Sequence, residues 1–239
     1  MPPIAEQLAL VRARMRAAAE RSGRDPESCE LLAVSKGVSA ETIAEAIDAG
    51  QIQFGENRVQ ELEAKRAAVA KLRPHAEVRW ELIGPLQSNK LRRAIAAADR
   101  ITSVDRMELL RKVAEASTTA PRQIAIALQV NTDADPAKAG FAPEELFAAL
   151  PKIARALLGA RLRIDGLMMI GRLTEDEEAS RRSFAGFAAY AAECRTEAAR
   201  SGVAIGDLLS AGMSGDFELA IEEGATQVRI GSALFGGRS

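Results

Sequence analysis

Histidine, tyrosine and tryptophan occur once each in this sequence, as His75, Tyr190 and Trp80, and cysteine occurs twice, as Cys29 and Cys194. Two cysteines cannot build a disulfide scaffold. With a single histidine beside them, they leave too few ligands for a zinc site. Aromatic residues make up 4% of the chain, too few for a platform on which bases stack. Neither sign of charge dominates, because 32 Lys and Arg face 33 Asp and Glu for a net charge of −1. Broad electrostatic capture of nucleic acid is therefore not expected, although a local anion site is still allowed. No apolar run is long enough to span a bilayer. The opening stretch MPPIAEQLALVRARMRAAAERSGRD alternates charge through an amphipathic pattern and has no apolar signal core. The expectation is a cytoplasmic protein without nucleic-acid or membrane partners.

What is present is ordinary globular material: 239 residues, 47% hydrophobic and 27% charged. A chain of this size buries about 70% or more of its unfolded surface, so its core needs no staples. Ile4, Leu8, Val11 and Met15 recur at helical spacing and predict an opening helix over about 4–22. Eight short apolar runs follow, at 31–35, 51–54, 78–83, 100–104, 123–130, 162–169, 207–210 and 228–230. Helical patterns separate them, including 56–72 and 175–201, and another follows Pro143. Repeated strand–helix units mean parallel strands with helices packed outside. Eight of them predict a single (β/α)8 barrel of the TIM type over about 30–236, within one domain spanning 1–239. The alternative is an open doubly wound sheet. The count of eight and the lack of a GxGxxG after the first strand favour the barrel.

In such a barrel, chemistry sits at the C-terminal ends of the strands. Lys36 directly follows the first apolar run. A lysine at the mouth can lose solvation and expose a nucleophilic amine that condenses with carbonyl compounds. A plain solvated lysine fits that position equally well. Gly212-Met213-Ser214-Gly215-Asp216 follows the seventh run, with Ser210 at its end, and Gly231-Ser232 follows the eighth. The loops after strands seven and eight are the usual phosphate site of barrels. Glycines there allow close approach, N–H groups at helix starts face the anion, and Ser214 and Ser232 add hydroxyls. Two ordinary turns with capping residues are the alternative reading. Arg229 lies in the eighth strand, which neighbours the first in a closed barrel, so it can approach a ligand held by Lys36. Its alternative is a salt bridge at the rim. Asn57 suits a helix cap, His75 a solvated loop, and the two cysteines carry no role.

Taken in order, LLAVSK, FGENRVQE, LIGPLQSNK, VNTDADPAKAGF, GLMMI and AGMSGDFELAIEEGATQVRIGSALFG resemble the pyridoxal phosphate homeostasis protein family. The likeness runs from about Leu31 to Gly236, and the family is similar in fold to the N-terminal barrel of alanine racemase. The resemblance implies pyridoxal 5′-phosphate as cofactor, bound as an aldimine on Lys36. It implies that Ser214, Gly231 and Ser232 hold the phosphate and that Arg229 faces the pyridine nitrogen. Asn57 lies beside the cofactor on this reading, with Met213 near the phosphate loop and Ser210 as a further candidate. The chain departs from the family pattern at Glu81-Leu82, where His-Phe is usual, at Ser39, where proline is usual, and at Ile170-Gly171-Arg172 after the GLM strand. No role attached to that histidine is carried over.

A guanidinium has donors and no acceptor, so a pyridine nitrogen facing Arg229 carries no proton. An unprotonated ring is a weak electron sink, which disfavours transaminase-type chemistry. Racemisation needs a base on each face of the substrate. Lys36 is one, and Tyr190, within the long helix over 175–201, is expected on the barrel exterior. The resemblance implies a protein that holds the cofactor for vitamin B6 homeostasis and supplies it to apo-enzymes. The Arg229 and Tyr190 placements point away from a dedicated reaction, and a single barrel without the racemase partner domain is expected to be a monomer. The alternatives are a slow amino-acid racemase, and a Schiff-base or phosphate-ligand barrel without pyridoxal phosphate.

Overall fold

The first strand and the last are hydrogen-bonded neighbours. Leu32 is in register with Arg229 and Ala33 with Ile230, so the sheet closes on itself. The computed structural model, which describes residues 3–171 and 174–236, is a closed parallel barrel with strand order β1 to β8. The strands are β1 (Glu30–Val34), β2 (Gln53–Glu56), β3 (Arg79–Leu82), β4 (Arg100–Val104), β5 (Ile124–Val130), β6 (Leu162–Met169), β7 (Ile205–Ser210) and β8 (Gln227–Ile230). The helices are α1 (Ile4–Arg21), α2 (Ala40–Asp48), α3 (Val59–Leu72), α4 (Leu91–Ala97), α5 (Met107–Ser117), α6 (Pro143–Leu157), α7 (Glu177–Arg200), α8 (Phe217–Glu222) and α9 (Ser232–Phe235). The (β/α)8 barrel with an extra N-terminal helix is therefore the observed architecture. Arg172 of the sequence reading lies outside the described residues.

Local chemistry sets the helix starts. Ser39 Oγ accepts the Thr42 N–H at 3.2 Å ahead of α2, and Asp176 Oδ1 accepts the Ala179 N–H at 3.1 Å ahead of α7. Pro143 occupies the first turn of α6, where its missing N–H costs nothing. Alternate strand residues face the helices and form the main core. Phe54 and Trp80 meet there with ring centroids 5.6 Å apart. Helix α1 packs on α8, with Leu8, Val11, Met15 and Ala18 buried and the Arg14 guanidinium 4.6 Å from the Phe217 ring centroid.

The sequence places the second strand two residues too early and starts the next helix at Glu56. In the structure Glu56 ends β2 and is wholly buried, and α3 begins at Val59. Gln51 stays outside the strand because its side-chain amide donates to the Leu31 and Gln53 carbonyls.

Both thiols are buried in packing layers, and burial pushes Cys29 up to about 12 and raises Cys194. The thiolate is the reactive species. Iodoacetamide at mildly alkaline pH is therefore expected to leave the native protein unmodified and to label both cysteines after denaturation. Intact mass spectrometry checks this, and rapid labelling of the native protein would contradict it. Among the described residues no helix is long and apolar enough to cross a membrane, and no cluster of His, Cys, Asp and Glu could hold a metal ion.

Candidate functional site

Parallel strands bring all their C-terminal ends to one mouth. There the loops gather Lys36, Asn57, Met213, Ser214, Gly231 and Ser232, while Ser210 and Arg229 lie just below, inside the barrel.

Lys36 is exposed, and its ammonium has no hydrogen bond or ion pair among the described residues. The expected loss of solvation is thus not seen at this lysine. The residue before it is held firmly. Lys65 Nζ, from α3, donates to the Ser35 carbonyl at 2.6 Å and to Glu56 Oε1 at 2.7 Å. Ser35 Oγ donates to the same Glu56 oxygen at 2.6 Å. Burial raises the Glu56 carboxyl above its ordinary range, while Lys65 and Ser35 pull it back. The end of β1 is therefore fixed and the Lys36 side chain is left free. Asn57 is half-buried with its side chain uncommitted, and it is not a cap, since Arg58 takes the N-cap position of α3. Its backbone lies so close to Gly84 that a Cβ there would come within 2.2 Å of the Asn57 carbonyl oxygen.

Arg229 is 6% exposed and makes no ion pair among the described residues, so the rim salt bridge is not what holds it. Its Nη1 donates to Ser210 Oγ at 2.9 Å and its Nη2 to the Met169 carbonyl at 2.8 Å. Burial lowers its pKa to about 10, opposed by the more distant Asp216 and Glu81 carboxylates, so the guanidinium is charged at neutral pH. The Ser210 hydroxyl in turn donates a hydrogen bond to Gln227 Oε1 at 2.7 Å. Gln227 Nε2 donates to Glu81 Oε1 at 3.0 Å, and Arg100 Nη1 donates to the same oxygen at 2.7 Å. These links join β8, β7, β3 and β4, so they run through the barrel interior.

The two loops after β7 and β8 are tied together. Gly212 sits at φ +86°, where a Cβ would come within 2.6 Å of Ala220 Cβ. The Met213 N–H donates to Asp216 Oδ1 at 2.6 Å, which turns the chain back toward α8. Ser214 Oγ accepts the N–H groups of Gly231 and Ala233, each at 3.3 Å. A serine hydroxyl has one proton and two lone pairs, so this leaves the Ser214 proton free for a ligand. The N–H groups of Ser214, Gly215 and Ser232 also have no partner among the described residues. Gly231 lies against the Val34 carbonyl oxygen, 3.2 Å from where its Cβ would be. This set of donors suits an anion with several oxygens, such as a phosphate ester.

The remaining candidates lie elsewhere. Tyr190 packs in the helical layer, its hydroxyl donating to the Pro143 carbonyl at 3.1 Å and its ring centroid 5.1 Å from that of Phe147. His75 is exposed in the loop after α3. Sequence reasoning missed Glu56, Lys65, Glu81, Arg100 and Gln227. For Gln227 there was a signal, since it stands two residues from Arg229 in a short strand, on the same face.

The alanine racemase N-terminal domain family matches residues 7–239. A protein of Pseudomonas aeruginosa named pyridoxal phosphate homeostasis protein is 41% identical over 239 residues, 100% of this chain and 97% of its own. The protein of the same name from Escherichia coli K12 is 38% identical over 247 residues, covering 100% of this chain and 98% of its own. Among solved structures, PipY of Synechococcus elongatus with PLP bound superposes with a TM-score of 0.84 at 38% identity, covering 98% of this chain and 100% of that one. Alanine racemase of Streptomyces lavendulae, 22% identical with a TM-score of 0.73, shares the fold over 97% of this chain and 58% of its own.

Proposed function

The chain belongs to the pyridoxal phosphate homeostasis protein family, built on the barrel of the alanine racemase N-terminal domain, and on that premise we propose that it binds pyridoxal 5′-phosphate at the mouth of the barrel and buffers its free concentration. The observation that carries this reading is the pairing of an unpartnered lysine just after β1 with a cradle of free N–H and O–H donors after β7 and β8, above a buried arginine. When bound, the group supplies an aldehyde that condenses reversibly with amines. Lys36 offers the amine for that attachment. The Ser214 hydroxyl and the N–H groups of Ser214, Gly215 and Ser232 take the phosphate, with Gly231 allowing close approach and Met213 beside the turn. Arg229, with Ser210 behind it, presents guanidinium donors to the ring nitrogen and so keeps a proton off it. Asn57 lines the same mouth with a free amide.

A dedicated reaction is not part of the proposal. Tyr190, the sole tyrosine, is engaged in the helical layer and does not serve as a second base opposite Lys36. An exchangeable covalent hold on a reactive aldehyde serves storage and delivery to apo-enzymes, which we propose as the physiological use. The cytoplasm is the proposed compartment, and a monomer the proposed form.

The test is spectroscopic. Purified protein incubated with pyridoxal phosphate is expected to develop a visible absorption band that borohydride abolishes. The reduced sample should carry a pyridoxyl mass on the Lys36 peptide, and Lys36→Ala should show neither. A wild-type protein that develops no band with added pyridoxal phosphate would overturn the reading.

A further inference from the structure

The interiors of such barrels are usually filled with branched apolar side chains. This one carries Glu81, 2% exposed, in its interior. Its Oε1 accepts two donors, Gln227 Nε2 and Arg100 Nη1, and its Oε2 has no partner. Arg100 Nη1 and Glu81 form a buried ion pair at 2.7 Å, and Arg100 Nε also pairs with Asp165 Oδ2 at 2.9 Å. Burying a carboxylate with one oxygen unsatisfied costs stability that an apolar residue of similar volume would spare. The ion pair with Arg100 accounts for one of the two donors on Oε1, and the second donor, Gln227 Nε2, has a consequence of its own.

What it does is set the direction of a hydrogen-bond chain. Because Glu81 Oε1 takes an N–H from Gln227, the Gln227 amide is fixed with its carbonyl toward Ser210. The Ser210 proton is then committed to that carbonyl, and a Ser210 lone pair is left for Arg229 Nη1. The Met169 carbonyl holds Nη2, so the guanidinium plane is fixed from two sides. Without an acceptor at position 81 the amide can turn over, and its N–H would compete with Arg229 for the Ser210 hydroxyl. We propose that Glu81 is a positioning residue that acts through Gln227 and Ser210 to orient the Arg229 guanidinium toward the ligand. The proposal rests on the cofactor reading for the identity of that ligand, but not for the chain itself.

Two readouts test it. The first needs no ligand: the guanidinium N–H resonances of Arg229 in the ligand-free protein, assigned by their loss in Arg229→Lys. The second is the dissociation constant for pyridoxal phosphate. Glu81→Leu and Gln227→Met are each expected to broaden or shift the Arg229 resonances and to weaken binding by ~10-fold, the scale of one lost hydrogen bond to a charged group. Glu81→Gln keeps an oxygen acceptor and is expected to retain most of the affinity. The double variant Glu81→Leu/Gln227→Met should be no worse than either single one, because both cut one chain. Additive losses in the double variant, or unchanged Arg229 resonances in both singles, would overturn the proposal. Should Glu81→Leu fail to fold, Gln227→Met alone decides by the same criteria. If wild-type protein binds no pyridoxal phosphate, the cofactor reading fails and the resonances decide the positioning role by themselves.

Discussion

Alanine at position 84 is expected to destabilise the protein by ~4 kcal/mol or more, in the range that marks a backbone collision rather than ordinary surface substitution. For a chain of this size that is a fall of roughly 8–16 °C in Tm. The cause is geometric. A Cβ on Gly84 would stand 2.2 Å from the Asn57 carbonyl oxygen and 2.7 Å from its Cα. Neither is the end of a flexible side chain, so the β2–α3 and β3–α4 connections must separate. Asn57 would move with them, so ligand affinity should fall as well. Gly215→Ala is the control, since a Cβ there has nothing within 4 Å. Thermal unfolding of both variants is the measurement. A Gly84→Ala protein that melts with Gly215→Ala would show that the two loops part freely.

The second large effect is expected from Lys65→Met. Lys65 is the cationic partner of Glu56, whose side chain is wholly buried, and it also fixes the Ser35 carbonyl. Removing one member of such a pair costs about 3 kcal/mol or more because the other charge stays buried. The pH dependence has a definite sign. Burial already holds the Glu56 carboxyl above its unfolded value, and loss of Lys65 raises it further. A group raised in this way contributes stability below its unfolded pKa, and that contribution is lost as pH rises through the folded pKa. The variant should therefore lie nearest to wild type at about pH 5 and furthest from it at about pH 8. Melting curves at both values check the sign. A gap that narrows toward alkaline pH would mean that Glu56 is not the group left uncompensated. Because Ser35 precedes Lys36, the rate at which pyridoxal phosphate attaches should also change in this variant.

The barrel is legible from the sequence because short strand-length segments alternate with helical patterns, and some helix starts carry local signals, Ser39 ahead of α2, Asp176 ahead of α7 and Pro143 in α6. The boundary that failed, at Glu56, is instructive. A glutamate followed by Asn-Arg and then Ala- and Glu-rich sequence has the local preference of a helix start. Tertiary contacts override it by supplying Lys65 nine residues on and Ser35 from the neighbouring strand. The mouth residues were legible because strand ends and glycine-rich loops are local features. The supporting residues were not, since Glu81 meets Gln227 only when strands from opposite sides of the barrel face each other. The departure of Glu81 from the family pattern marked the position, but not what it touches.

Lys36 hangs from β1, while Arg229, Gly231 and Ser232 belong to β8 and the turn beyond it, and these two strands are the ones whose pairing closes the ring. A partly folded chain with the other six strands in place would still own neither half of the site in working relation to the other. Ligand capture is thus a report of completed folding, and by mass action the ligand draws the open ring shut. Binding therefore reads out a contact between the two ends of the chain, the kind of long-range joining on which folding is slow.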